Sequence, residues 1–192
     1  MSNNSSGRAI SGGAKTATGF DKKIRLTHLL SILAIGVASL YTVIFYFLNF
    51  DTLSLFSLGI AIAFTICHFL NRYRFVNISR IALFLFANLF VFYLGSSLGL
   101  GAGINPLYFP LMGAIFILFD LHEYYKISFL FIVSFTLMIF GEATNYSLFI
   151  VQSVPPNIQY ILSISTFLAA IVTSSICIYY LIVVNDAAEK NS

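Results

Sequence analysis

Charge is what this sequence has least of. Only 9% of its 192 residues are Asp, Glu, Lys or Arg, against about a quarter in soluble domains. A chain so poor in polar side chains cannot cover a water-facing exterior, which excludes an ordinary soluble domain. Tryptophan is absent and cysteine occurs twice, at Cys67 and Cys177. Both cysteines sit inside apolar runs, so they read as small packing residues rather than a secreted disulfide framework. No GxxxxGK[ST] phosphate loop occurs, and GxGxxG appears only as the incomplete GLGAG at 99–103. No HExxH or Ser/His/Asp arrangement can be read from the spacings. The expectation is therefore no enzyme activity and no cofactor. A net charge of only +3 gives no footprint for nucleic acid.

What is present is hydrocarbon. Hydrophobic residues make up 59%, with 21 Phe, 11 Tyr and a mean hydropathy of +0.92. They fall in runs long enough to cover every side of a helix, and a bilayer crossing needs about 20 such residues. Six runs qualify, at 26–50, 52–70, 81–100, 106–121, 127–149 and 158–184. The sequence thus predicts an all-α integral membrane protein built as a six-helix bundle. Asp51 and Thr52 suit a turn capping the second span. Asn105 suits the cap of the fourth, and Pro106 its first helical position. Residues 1–24, rich in Ser, Gly, Asn and Ala around a few cations, read as a disordered tail.

Basic residues fix the expected orientation, because they are retained on the cytoplasmic side. Five precede the first span, three lie between the second and third, one follows the fourth and one follows the sixth. All ten therefore fall on one face of a six-span arrangement, with both termini inside. The opposite connections carry Asp51 and Glu142 and no cation. The uncharged stretch LGSSLGLGAGINPLYFP, residues 94–110, then becomes an outer connection, where glycine-rich backbone can meet water. Within it Gly95 and Gly99 form a small-xxx-small pair suited to close helix packing, and Ala169 with Ala170 offer a second such face for a homodimer.

Few polar groups are left to carry function. Asn88 is the clearest mid-span polar residue, and Tyr93, Asn105, Tyr108 and Glu142 gather toward the outer side. Together these five are the candidate ligand-binding set. His28, His68 and His122 all fall at the inner boundary and are weak candidates for metal or haem, because no local ligand motif links them. A route for solute in a small oligomeric permease or channel subunit would draw on Asn88, Ser96, Ser97, Ser163, Ser165, Thr166, Thr173, Ser174 and Ser175.

Three segments carry a resemblance. RIALFLFANLFVFYLGSSLGLGAGINPLYFP sets a mid-span Asn88 before a glycine-containing outer loop. LFDLHEYYK is a short acidic-then-basic inner turn. NDAAEKNS is a polar exit from the last span. Over residues 25–192 the chain resembles the six-span membrane sensor region of bacterial sensor histidine kinases and nucleotide cyclases. The resemblance implies residence in the bacterial inner membrane and signal transduction. The last span would relay a stimulus through Asn185, Glu189 and the segment 185–192 to a cytoplasmic signalling partner or output domain. The 192 residues contain no phospho-accepting histidine helix, ATP-binding segment or cyclase carboxylates, so the resemblance is to the input part alone. Its expected partners are the lipid bilayer, a second copy of the chain and that cytoplasmic partner.

Overall fold

A computed structural model describes residues 8–99, 103–149 and 155–189. Among them there is helix and no strand. The order is α1 (Arg8–Phe47), α2 (Asp51–Arg72), α3 (Val76–Leu98), a 3-10 turn (Asn105–Leu107), α4 (Tyr108–Leu118), a second 3-10 turn (Leu121–Glu123), α5 (Tyr124–Ala143) and α6 (Pro156–Glu189). Five helices are long and apolar enough to cross a membrane: 24 residues of α1, all of α2, α3 and α5, and 24 residues of α6. The chain is thus a helical membrane protein by length and composition. The remaining apolar helical stretch, Asn105–Leu118, is shorter. The helix α1 begins at Arg8, within the stretch expected to be a disordered tail.

Each tight connection solves the same problem, the unpaired carbonyls at a helix end. Asn49 takes a left-handed φ of 59°, and the next N–H, of Phe50, reaches back to the Phe45 carbonyl at 2.9 Å. Arg74 (φ 67°) repeats this with Phe75 N–H on Leu70 O at 3.0 Å, and Asn145 (φ 50°) with Tyr146 N–H on Gly141 O at 2.8 Å. This 6→1 closure is the Schellman arrangement. It uses a non-glycine residue each time, and asparagine tolerates that conformation better than arginine does. The expected side-chain caps do not form. Phe50 occupies the cap position of α2, with Asp51 already inside the first turn, and Ile104 precedes the 3-10 turn that contains Asn105. Asp51 still favours the N-terminus of α2 through the helix dipole.

Side-chain bonds tie successive helices into antiparallel pairs. Ser54 Oγ donates to Thr42 O across α1–α2 at 3.1 Å, and Ser79 Oγ donates to Cys67 O across α2–α3 at 2.7 Å. The centre of the bundle is α3. Of its most apolar stretch 61% is buried, against 17–33% for the other four long helices. Those four turn Leu40, Leu55, Ile132, Phe167 and similar side chains outward, as helices bathed in lipid do. Packed on α3 are α2, α4 and α5, while α6 leans on α4 and its preceding turn.

Candidate functional site

Three groups of residues concentrate the polar and steric detail of the bundle. The first lies at the Arg80 end of α3. Arg80 is 4% exposed. Its guanidinium donates to the Leu118 carbonyl, to Asn77 and to both carboxylate oxygens of Glu123, at 3.3 and 3.5 Å for the latter. It also lies 4.7 Å over the Phe119 ring, a cation–π contact. Glu123 accepts in addition from Lys126 Nζ at 2.6 Å and from the Asp120 backbone N–H at 3.3 Å. The Asp120 and Glu123 side chains complete a reciprocal capping box around the second 3-10 turn. Burial pushes the Glu123 carboxyl up. The Lys126 hydrogen bond, the Arg80 charge and the Asp120 N–H outweigh it and hold the group below the usual carboxylate range. This node fastens the end of α4 and the start of α5 to α3.

The second group lies at the other end of α3. Tyr146 is 1% exposed, and its ring occupies a slot floored by two glycines. A Cβ on Gly95 would come within 2.8 Å of the ring and one on Gly141 within 2.2 Å. The Tyr146 hydroxyl donates to Met138 O at 3.4 Å. Burial, reinforced by the Glu142 carboxylate, raises its pKa to about 12. Beside it the Asn105 amide donates to Glu142. Tyr108 is wholly buried, and its hydroxyl has no partner among the described residues.

The expected binding set therefore divides. Asn105, Tyr108 and Glu142 gather around Tyr146. Tyr93 instead stacks on Phe56 at 3.8 Å between ring centroids and leans on Phe149 at 5.0 Å. Asn88 is 1% exposed and its amide donates to Phe84 O, one turn back in its own helix, at 2.9 Å. Its Oδ1 has no partner among the described residues. What fills the space over Gly95 is the Tyr146 ring. Gly99, with φ 75°, ends α3 by donating its N–H to Gly95 O at 2.8 Å. Leu100 to Ala102 lie outside the described residues. Asn185 and Glu189 belong to α6 by backbone, and their side chains lie outside the described ones, as do residues 190–192.

The third group is an apolar cavity of about 120 Å³ at mid-height, bounded by α1, α3, α4 and α6 with Phe64 of α2. Ala34, Val37, Ala87, Ala114 and Ala169 line it, and Thr173 supplies the one hydroxyl. That hydroxyl donates to Ala169 O at 2.8 Å, so it is already spent within its helix. The other expected route residues are similarly engaged or dispersed. Ser165 donates to Leu162 O at 2.8 Å, Thr166 shares a buried 2.8 Å bond with Tyr41, and Ser163 lies under Gly103. Ser96 and Ser97 are buried in α3, Ser174 is half-buried and Ser175 exposed. Ala170 is buried within the chain at 7% exposure.

Of the histidines, His28 and His68 come together with ring centroids 4.2 Å apart. His122 sits exposed in the second 3-10 turn. Among the described residues no three His, Cys, Asp or Glu side chains are grouped to hold a metal. Sequence reasoning missed the Arg80–Glu123 node and the Tyr146 slot. The first had a signal, an arginine directly abutting an apolar run together with the D-x-x-E box of residues 120–123. No family model, curated protein or solved structure matches the chain.

Proposed function

We propose that the chain is a membrane-embedded signal-input module, without catalytic activity of its own, in which a small apolar molecule or lipid tail enters the mid-height cavity and displaces α6. The observation that carries this reading is the double role of α6. It lines the cavity through Ala169 and Thr173 and runs unbroken to Glu189, about 24 Å further along its axis. A ligand that favours one packing of α6 over another shifts their populations, and a stiff helix carries the displacement beyond the bilayer. The cavity is comparable with dry apolar cavities that admit benzene-sized molecules. Its lining is ill-suited to a polar solute, which favours sensing over the permease reading.

The proposal includes six crossings with both termini on the cytoplasmic face. Supporting this, α4 begins beside the Asn105–Glu142 contact and ends where Arg80 grips Leu118. With its preceding turn it therefore matches α3 from the level of Arg80 to that of Gly95, about 22 Å. Tags at the two termini should be accessible from one face only, and tags on opposite faces would overturn the topology.

The functional test uses spin labels at Tyr73→Cys and Ile182→Cys, with Cys67 and Cys177 replaced. Benzene should shift the label distance by about 1–2 Å, the scale of known helix shifts. Ala169→Leu, which fills the cavity, should abolish the response. An unmoved distance combined with selective solute uptake by proteoliposomes would replace sensing with transport.

A further inference from the structure

At the end of the α1–α2 pair that faces the α2–α3 turn, four nitrogen-rich residues, two on each helix, occupy the corners of a square by helix register. Arg25 and His28 stand three apart on α1, and His68 and Arg72 four apart on α2, so each pair shares a helix face. The His28–His68 stack at 4.2 Å joins the two helices across the square, and Arg72 and His28 both lie within electrostatic range of His68. Asn71 Nδ2 donates to Ile24 O at 3.0 Å. That bond sets the residues preceding Arg72 and Arg25 side by side. Arg25, His28 and Arg72 are exposed, and His68 is half-buried with an Nδ1 that has no partner among the described residues. Unlike Arg80 and Lys126, neither arginine of the square has a carboxylate partner among the described side chains.

Two features define the occupant. The square is cationic and rich in donors, which calls for a phosphate oxyanion. It also lies at the head of an apolar surface rather than in a watery cleft. Along the α1 face, Ile32 and Gly36 follow His28 at four and eight residues. Both are exposed, and a side chain at Gly36 would meet nothing within 4 Å. An acyl chain can lie in that open strip while its headgroup meets the square. We infer that the square formed by Arg25, His28, His68 and Arg72 is a binding site for the phosphodiester headgroup of an anionic phospholipid. Basic pockets between helix ends recognise such headgroups through the same charge complementarity.

The test is native mass spectrometry of the full chain in neutral detergent, with phosphatidylglycerol, phosphatidylcholine of the same acyl chains, and inorganic phosphate as separate probes. Phosphatidylglycerol should remain bound at least tenfold more than phosphatidylcholine. Arg25→Gln with Arg72→Gln should remove that preference, and Lys126→Gln should keep it. If the double variant fails to fold, the single Arg72→Gln, at an exposed position, should still weaken retention severalfold. Equal retention of the two lipids, unchanged retention in the arginine variants, or displacement of phosphatidylglycerol by millimolar inorganic phosphate would overturn the assignment.

Discussion

The two ends of α3 are fastened by different physics. At one end a buried guanidinium is gripped by a carboxylate, a carbonyl and an aromatic face. At the other a tyrosine ring is pressed into a slot that exists only because Gly95 and Gly141 lack side chains. The charged clamp depends on protonation state and on every partner being present, because an unpaired buried charge is far costlier than the pair is beneficial. The steric clamp depends on volume. One helix can therefore be loosened from either end by unrelated perturbations.

The sharpest way to break this contrast is at the glycines. Gly141→Ala sets a methyl against the Tyr146 ring and should expel it, for about 3–4 kcal/mol of lost stability. Denaturation in detergent would measure it. In a Tyr146→Ala background the same change should be nearly neutral, since the obstacle is gone. A full penalty in both backgrounds would show that the slot is not what matters. At the charged end, Glu123→Gln strands Arg80 and should cost about 3 kcal/mol, the low end for a buried pair because Leu118 O and Asn77 still hold the guanidinium.

Acid and base should separate the ends further. The Glu123 carboxyl is held below its ordinary range. Its contribution is complete above the unfolded value, near pH 4.3. It is lost as acidification carries the pH down through the lowered folded value. Tyr146 is shifted the other way, from 10.0 to about 12. Its contribution is complete below pH 10 and lost as the pH rises toward 12. Wild-type protein should weaken on both sides, Glu123→Gln should lose only the acid limb, and Tyr146→Phe only the base limb. The smallest effect is expected for Lys126→Gln. That side chain is 36% exposed, and its pair with Glu123 should be worth about 0.5 kcal/mol.

Which of these features the sequence discloses follows from their range. Hydrophobic runs are local, so the helices at 51–72, 76–98 and 156–189 lie close to the expected spans. Termini are less legible: α5 stops at Ala143 instead of reaching 149, because Asn145 and Tyr146 close the helix in a left-handed turn. The meeting of Asn105 with Glu142 bridges 37 positions and that of Arg80 with Glu123 bridges 43. No local pattern encodes such pairings. Gly95 shows why a motif can mislead about its occupant. Small-xxx-small spacing announces space, and here an aromatic ring from a loop takes it. The meeting of His28 with His68 joins two residues that the charge pattern expects at one boundary of the bundle. His122 instead stands exposed in the second 3-10 turn, and no local pattern reports which helix ends meet.

The shortness of α4 has a consequence for the surrounding lipid. Its eleven residues and the preceding 3-10 turn measure about 22 Å, against a hydrocarbon thickness of about 30 Å. If this segment crosses as proposed, the bilayer must be pinched beside it, with headgroups drawn in toward Arg80 and Glu123. Such mismatch costs a fraction of a kcal/mol per ångström, so the protein should settle preferentially in thin membranes.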